Sequence, residues 1–173
     1  MNDLFFIGGV HGVGKGTICH EISNRTNLVH ISASDILKWE EVSERENKKV
    51  ANIQDTQDRL TAGLGEILEK SKSYLIDGHF CLLNSKGSVE KIPIKTFEKI
   101  SPKLIAVATT GIDVIKNRLK KRDGEIYSHD LLKDMQMLEV LHAKEVSRAL
   151  KIPFIEVKDG NYVKLIKLIN NLN

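Results

Sequence analysis

The chain has 173 residues, a length typical of one domain and sufficient for a core that needs no disulfide or metal. Its residues are 41% hydrophobic and 28% charged, which is typical of a globular protein and excludes a largely disordered chain. The formal net charge of +3 is too small to indicate nucleic-acid binding by bulk charge.

The cysteine count and the hydropathy pattern indicate the cellular compartment and whether the chain spans a membrane. The chain has 2 cysteines, Cys19 and Cys81, so a four-thiolate zinc site is excluded and a reducing compartment is the simplest expectation. No segment approaches the about 20 apolar residues that a membrane helix needs. We therefore expect a cytoplasmic protein with no membrane partner.

Short apolar runs alternate with segments of helical period along the whole chain, without an internal repeat or a linker. This alternation predicts an α/β fold, with one five-stranded parallel sheet lying between helices. The predicted strands cover residues 4–7, 28–31, 74–76, 103–109 and 153–157. The predicted helices cover residues 16–25, 34–41, 53–70, a segment from 112, 130–150 with Ser128 as its cap, and 163–172. A turn at Asn84–Gly87 indicates a small hairpin.

The strongest motif is the glycine-rich loop that follows the first strand and opens the first helix. Glycines let backbone N–H groups turn inward, and the helix N-terminus adds a positive dipole end, so this context favours phosphate binding. A lysine within the loop supplies a mobile charge to a transferred phosphate. We predict that the loop binds ATP through Gly12, Val13, Gly14, Lys15, Gly16 and Thr17.

The residues Gly14-Lys15-Gly16-Thr17 make the loop resemble that of adenylate kinases among the P-loop NTPases. The resemblance continues in order along the chain, and short-lid (archaeal-type) adenylate kinases are the more similar group. The supporting segments are Ile31–Lys38, Asp55–Arg59, Asp77-Gly78-His79, Lys86-Gly87, Asn117–Arg122 and Val157–Gly160. The resemblance implies a single kinase domain in which residues 32–72 form a helical region that binds a nucleoside monophosphate (NMP), and residues 123–129 form a short lid.

The resemblance also implies roles on the ATP side. Lys15 and Arg122 would contact the transferred phosphate, Arg118 would cover the adenine ring, and Asp159 would lie in the loop beside it. Thr17 and Asp77 would hold Mg²⁺, partly through water, and Asp77 counts as a catalytic residue with Lys15 and Arg122. The expected cofactor is Mg²⁺ with ATP.

On the acceptor side the sequence departs from the family. Long-lid adenylate kinases use an arginine where this chain has Lys38, and a lysine cannot clamp a phosphate with two parallel hydrogen bonds. Arg45 or Arg59 would replace it, although either also suits a solvated helix. The expected NMP-binding residues are Ser32, Asp35, Lys38, Arg59 and His79.

Three functions remain open at this point. The leading one is an ATP-dependent phosphotransferase that phosphorylates an NMP, with AMP as the favoured acceptor. Because the chain lacks arginines that long-lid adenylate kinases use, a kinase of another small phosphate acceptor also stays open. By analogy with some short-lid relatives, the chain could instead be an ATPase switch that assists RNA or ribonucleoprotein assembly. The expected partners are ATP and an NMP; a homo-oligomer stays open, and the overall charge does not favour nucleic acid.

Overall fold

The computed structural model describes residues 3–37, 49–50, 52–124 and 126–172. These residues form eight strands and seven helices. The strands are β1 Leu4–Gly8, β2 Val29–Ser32, β3 Lys49–Val50, β4 Tyr74–Asp77, β5 Cys81–Asn84, β6 Val89–Lys91, β7 Leu104–Thr109 and β8 Phe154–Lys158. The helices are α1 Lys15–Ser23, α2 Ala33–Leu37, α3 Ile53–Ile67, α4 Ile94–Ile100, α5 Ile112–Asp123, α6 His129–Leu150 and α7 Val163–Leu172.

Five strands form the main sheet in the order β2-β4-β1-β7-β8, and every neighbouring pair is parallel. The predicted five-stranded parallel sheet between helices is therefore confirmed. β1 lies at the centre and is buried along its whole length, which explains why it is uniformly apolar. The hairpin predicted at Asn84–Gly87 joins β5 to β6. A second sheet, β3-β5-β6, was not predicted.

Alternate residues of the central strands face two separate apolar layers. Phe5 and Ile7 pack with the apolar faces of α1, α5 and α7, whereas Leu4 and Phe6 pack with α2, α3, α4 and much of α6. Phe6 also meets the rings of Phe80 and Phe97 with centroids 5.2 and 5.3 Å away. The sheet is thus covered on both faces, and its C-terminal edge is left for a ligand.

Strand register brings distant polar residues to that C-terminal edge. Asp77 at the end of β4 lies opposite Ile7 of β1 on one side and opposite Ser32 of β2 on the other. β1 then leads directly into the glycine-rich loop. The end of each of these three strands therefore contributes to a single site.

Candidate active site

The glycine-rich loop has the backbone conformation that its glycines predict. Gly12 and Gly14 adopt φ angles of +80° and +104°, which residues with a Cβ rarely adopt. Gly14 caps α1, so the first turn of that helix begins at Lys15. A Cβ on Gly14 would lie 3.2 Å from a guanidinium nitrogen of Arg118. The loop is therefore shaped by its own glycines and covered from one side by α5.

A cleft of about 870 Å³ opens above this loop. It is lined by the loop, by the C-terminal ends of β2 and β4, and by side chains of α2, α3, α4 and α5. A cleft of this size lies within the range of small-molecule sites. The predicted site residues that line it are Gly12, Val13, Gly14, Lys15, Gly16, Thr17, Ser32, Asp77, His79, Arg118, Arg122 and Asp159.

The other predicted acceptor residues are Asp35, Arg59 and Lys38. Asp35 on α2 is exposed, and Arg59 on α3 donates a hydrogen bond to the Leu37 carbonyl at 3.4 Å; neither is among the residues that line the cleft. Lys38 lies outside the residues that the structure describes, as does Arg45. On the acceptor side the described structure therefore places Ser32 and His79 at the cleft and not Asp35 or Arg59.

Lys15 lies at the buried centre of the phosphate loop. Its ammonium donates hydrogen bonds to the carbonyls of Gly9 and Val10 at 2.6 and 3.2 Å. Burial lowers the pKa of this ammonium, while the carboxylates of Glu139 and Asp77 oppose that shift. The Lys15 amino group is thus held at the cleft floor, where it would meet an anionic phosphate.

Asp77 is held by two partners from β2. His30 Nε2 lies 2.5 Å from Asp77 Oδ2, and Ser32 donates its hydroxyl hydrogen to Asp77 Oδ1 at 3.2 Å. Burial raises the pKa of the Asp77 carboxyl, but the hydrogen bond from His30 and the charge of Lys15 outweigh it and hold that pKa below its usual value. Asp77 is therefore an ionised carboxylate, as a metal ligand must be.

Two arginines of α5 occupy the opposite wall. Arg118 donates to the carbonyls of Gly12 and Val13 at 3.2 and 2.9 Å, so its guanidinium lies directly against the loop. Arg122 forms a double hydrogen bond with the adjacent Asp123, which raises the pKa of the guanidinium further. Both side chains line the cleft. The two arginines that the resemblance implies on the ATP side thus both lie at the cleft, and Arg118 contacts the phosphate loop.

The most important residue that sequence reasoning missed is Glu139 on α6. Its carboxylate accepts hydrogen bonds from the backbone N–H groups of Phe80 and Cys81 at 3.0–3.1 Å and lies 3.6 Å from a ring nitrogen of His79. Burial raises the pKa of Glu139 to about 7, against the opposing charge of Lys15. A sequence signal existed, because a glutamate four residues from Met135 falls on the buried stripe of α6.

His79 packs at the cleft floor between Glu139 and the loop. Its ring lies 4.2 Å from that of His11, centroid to centroid. Burial and the nearby Lys15 charge lower the pKa of His79 well below its usual value, so the imidazole is neutral at pH 7. A neutral imidazole can donate one hydrogen bond and accept another, but it adds no positive charge for an acceptor phosphate.

The side of the cleft away from α5 is apolar. It is walled by side chains of α2, α3, α4, β1, β5 and the segment after β6 that belong to one buried cluster: Phe6, Leu37, Leu60, Leu82, Ile92, Phe97 and Ile100. Within this wall lies Gln57 of α3, which is 3% exposed and lines the cleft. Its Oε1 has no hydrogen-bond partner among the described residues. Such an atom carries a free-energy cost unless a ligand supplies a donor.

The phosphate loop at the head of a five-stranded parallel sheet defines a P-loop domain with the kinase fold. Residues 8–136 match the family model described as an AAA domain, AAA_17, and the chain belongs to that family. A gluconokinase from Sinorhizobium meliloti shares the fold, with a TM-score of 0.58 and 15% identity over 99% of this chain and 95% of its own. A shikimate kinase from Acinetobacter baumannii also has a TM-score of 0.58, with 14% identity over 99% and 93% of the two chains.

The sequence is also similar to that of adenylate kinase isoenzyme 5 from Mus musculus. The two are 28% identical over 128 residues, which are 69% of this chain. The match spans 22% of the relative's length, so it concerns a part of that protein.

None of the helices in the described part of the chain is both long and apolar enough to cross a lipid bilayer. The cytoplasmic location stays a prediction.

Proposed function

We propose that this chain transfers the γ-phosphate of ATP to a nucleoside monophosphate whose base carries an exocyclic amino group, with AMP as the preferred acceptor. The observation that carries the proposal is Gln57, whose buried Oε1 is free among the described residues and lies in an apolar wall of the cleft. The similarity to an adenylate kinase supports AMP over the alternatives.

The chemistry of the bases makes Gln57 selective. Adenine and cytosine present an amino donor, N6–H or N4–H, where guanine and uracil present a carbonyl acceptor. An amino base would satisfy Oε1, while a carbonyl base would place two acceptors face to face. Apolar side chains such as Leu60 and Phe97 would cover the faces of a planar ring. A sugar acid, by contrast, would leave its hydroxyl groups against this wall without partners.

The phosphate end requires no general base under this proposal. An acceptor phosphate is already anionic, so transfer depends on positioning and on charge neutralisation. Lys15, Arg118 and Arg122 supply three positive charges along one end of the cleft. Thr17 and the ionised Asp77 provide oxygen donors beside them, a donor set that suits Mg²⁺. When bound, Mg²⁺ would neutralise phosphate charge there.

The protein would also order the site in two ways. Ser32 and His30 fix the Asp77 carboxylate from β2, while Glu139 fixes the turn after β4 by holding the N–H groups of Phe80 and Cys81. These contacts restrain the residues that meet the phosphates. Residues 32–72 and 123–129, which we propose as the NMP-binding region and the lid, would close over the substrates and exclude water.

The experiment is a steady-state assay with ATP and a panel of AMP, CMP, GMP and UMP, with chromatographic detection of each nucleoside diphosphate. We expect turnover with AMP, less with CMP, and at least about tenfold lower kcat/KM with GMP and UMP, since an unpaired buried polar atom costs about 1–3 kcal/mol. ATP binding without turnover of any monophosphate would defeat the proposal. ATP hydrolysis that rises only when RNA is added would favour an assembly switch.

Substitution of Gln57 tests the observation itself. Gln57→Leu should lower kcat/KM for AMP by about tenfold or more and remove the preference over GMP, because an apolar side chain treats both bases alike. The KM for ATP should not change. Glu66→Gln is the matched control, because Glu66 is exposed on the same helix. If Gln57→Leu kept the wild-type preference for AMP, Gln57 would not contact the base.

A further inference from the structure

Three side chains of metal-ligating type converge behind the phosphate loop. They are Cys19 on α1, His30 on β2 and Asp77 at the end of β4, and one ligand atom from each lies within 4.8 Å of the other two. The proposed phosphoryl transfer uses Asp77 but gives no role to Cys19. It also does not explain why a buried thiol lies within 4.8 Å of this carboxylate and of the imidazole that orients it.

The three ligands come from elements that hold each other in place. β2 and β4 are paired in parallel with Ser32 opposite Asp77, so His30 sits two residues earlier on the neighbouring strand. Cys19 is fully buried one turn into α1, after Lys15. The Ser32 hydroxyl donates to Asp77 Oδ1, which leaves Oδ2 directed at His30. Hydrogen bonds of this outer-shell kind orient metal ligands in known sites.

The cluster also has a route for an ion. His30 retains 25% of its side-chain exposure and lines the cleft together with Asp77. Cys19, at 0% exposure, closes the inner side. An ion would therefore enter from the cleft and stop at the thiol.

We propose that Cys19, His30 and Asp77 bind one divalent transition-metal ion of the zinc class. A sulfur, an imidazole nitrogen and a carboxylate oxygen are the donors that Zn²⁺ takes, whereas Mg²⁺ takes oxygen alone. Three protein ligands leave one tetrahedral position, which faces the cleft and takes water or a phosphate oxygen. His30 and Asp77 have to separate from their 2.5 Å contact to admit the ion between them.

The shared carboxylate gives the site a consequence for catalysis. Asp77 cannot serve the Mg²⁺ that accompanies ATP while it is a ligand of Zn²⁺. Zinc bound here therefore inhibits phosphoryl transfer. This consequence rests on the proposed function, but the binding of the ion does not.

Binding is tested first without nucleotide or activity. Full-length protein freed of metal by a chelator is titrated with Co²⁺, a spectroscopic substitute for Zn²⁺, and then with Zn²⁺. We expect one equivalent of Co²⁺ to produce a thiolate-to-cobalt charge-transfer band that Zn²⁺ abolishes. Cys19→Ser should lack this band, and Cys81→Ser should retain it. Cys81 is the matched control because it is equally buried and has no place in the cluster.

A second variant keeps the test valid if Cys19→Ser does not fold, which its thermal melt would reveal. His30→Gln leaves the thiol in place and should weaken Zn²⁺ binding by more than about tenfold, since even outer-shell changes cost 10–100-fold. No charge-transfer band in the wild-type protein would overturn the proposal. So would a band that survives in Cys19→Ser, or an unchanged affinity in His30→Gln.

The inhibitory consequence has its own test. Wild-type turnover of ATP and AMP should fall when Zn²⁺ is added to the assay with Mg²⁺ present. Cys19→Ser should resist this inhibition, whereas Cys81→Ser should be inhibited like the wild type. Equal inhibition of all three proteins would overturn the competition at Asp77. If no nucleotide is turned over at all, the proposed function fails, and the cobalt titration still decides the metal site.

Discussion

Glu139 makes the stability of this fold depend on pH near neutrality. Burial raises the pKa of its carboxyl from 4.5 to about 7 in the folded protein. Between those two values the folded state binds the proton that the unfolded state releases, so folding is favoured at low pH. This contribution is fully present below pH 4.5 and is lost as the pH rises through about 7.

The magnitude follows from the difference between the two pKa values. A shift of one unit corresponds to about 1.36 kcal/mol, so the full contribution is about 3 kcal/mol. About 2.5 kcal/mol of it should disappear between pH 5 and pH 8. Glu139→Gln removes the titration, while its amide oxygen can still accept hydrogen bonds from Phe80 and Cys81.

The assay is chemical denaturation of both proteins at several pH values across that range. The free energy of unfolding of the wild type, minus that of Glu139→Gln, should fall by about 2.5 kcal/mol from pH 5 to pH 8. Subtraction of the variant removes the titration of groups that do not interact with Glu139. A difference that stays constant with pH, or that rises, would refute the reasoning.

The other predictions concern the phosphate loop, the α5 arginine and α3. Lys15→Ala should abolish phosphoryl transfer without unfolding the protein. Because the Lys15 charge lowers the pKa of Glu139, the substitution should also raise that pKa further, which the same denaturation series would detect. Arg122→Ala should lower kcat by about 10³-fold or more in single-turnover assays, with a much smaller change in ATP affinity by calorimetry. Gly65→Ala should raise the free energy of unfolding by about 0.5–1 kcal/mol, because nothing lies within 4 Å of the added Cβ. Gly63→Ala is its matched contrast and should destabilise, since its Cβ would lie 2.5 Å from a methyl carbon of Ile36.

Local patterns in the sequence were sufficient for much of the fold. The helix over residues 163–172 and the cap at Ser128 have the predicted positions, since each depends on neighbouring residues alone. The five strands of the main sheet were predicted with ends shifted by one residue or so, because apolar runs mark strand cores better than strand ends. The glycine-rich loop was recognised for the same reason, since its chemistry lies within nine consecutive residues.

The parts that were missed depend on contacts between distant segments. β3 pairs with β5 across more than 30 residues, and two residues of strand carry no periodic signal. The contact of His30 with Asp77 follows from the register of β2 against β4, which no local pattern specifies. Gln57 lies in a segment that the sequence marks only by resemblance, because the lack of a described partner for its Oε1 depends on how α3 packs beside the cleft.

The proposed function requires that the cleft joins a triphosphate site on the phosphate loop to a base site at Gln57. Isothermal titration of wild-type protein and of Gln57→Leu, each with AMP and with ATP, tests it most directly. We predict that the substitution weakens AMP binding by about tenfold or more and leaves ATP binding unchanged. Equal AMP affinity in the two proteins, or no affinity for ATP in either, would contradict the account.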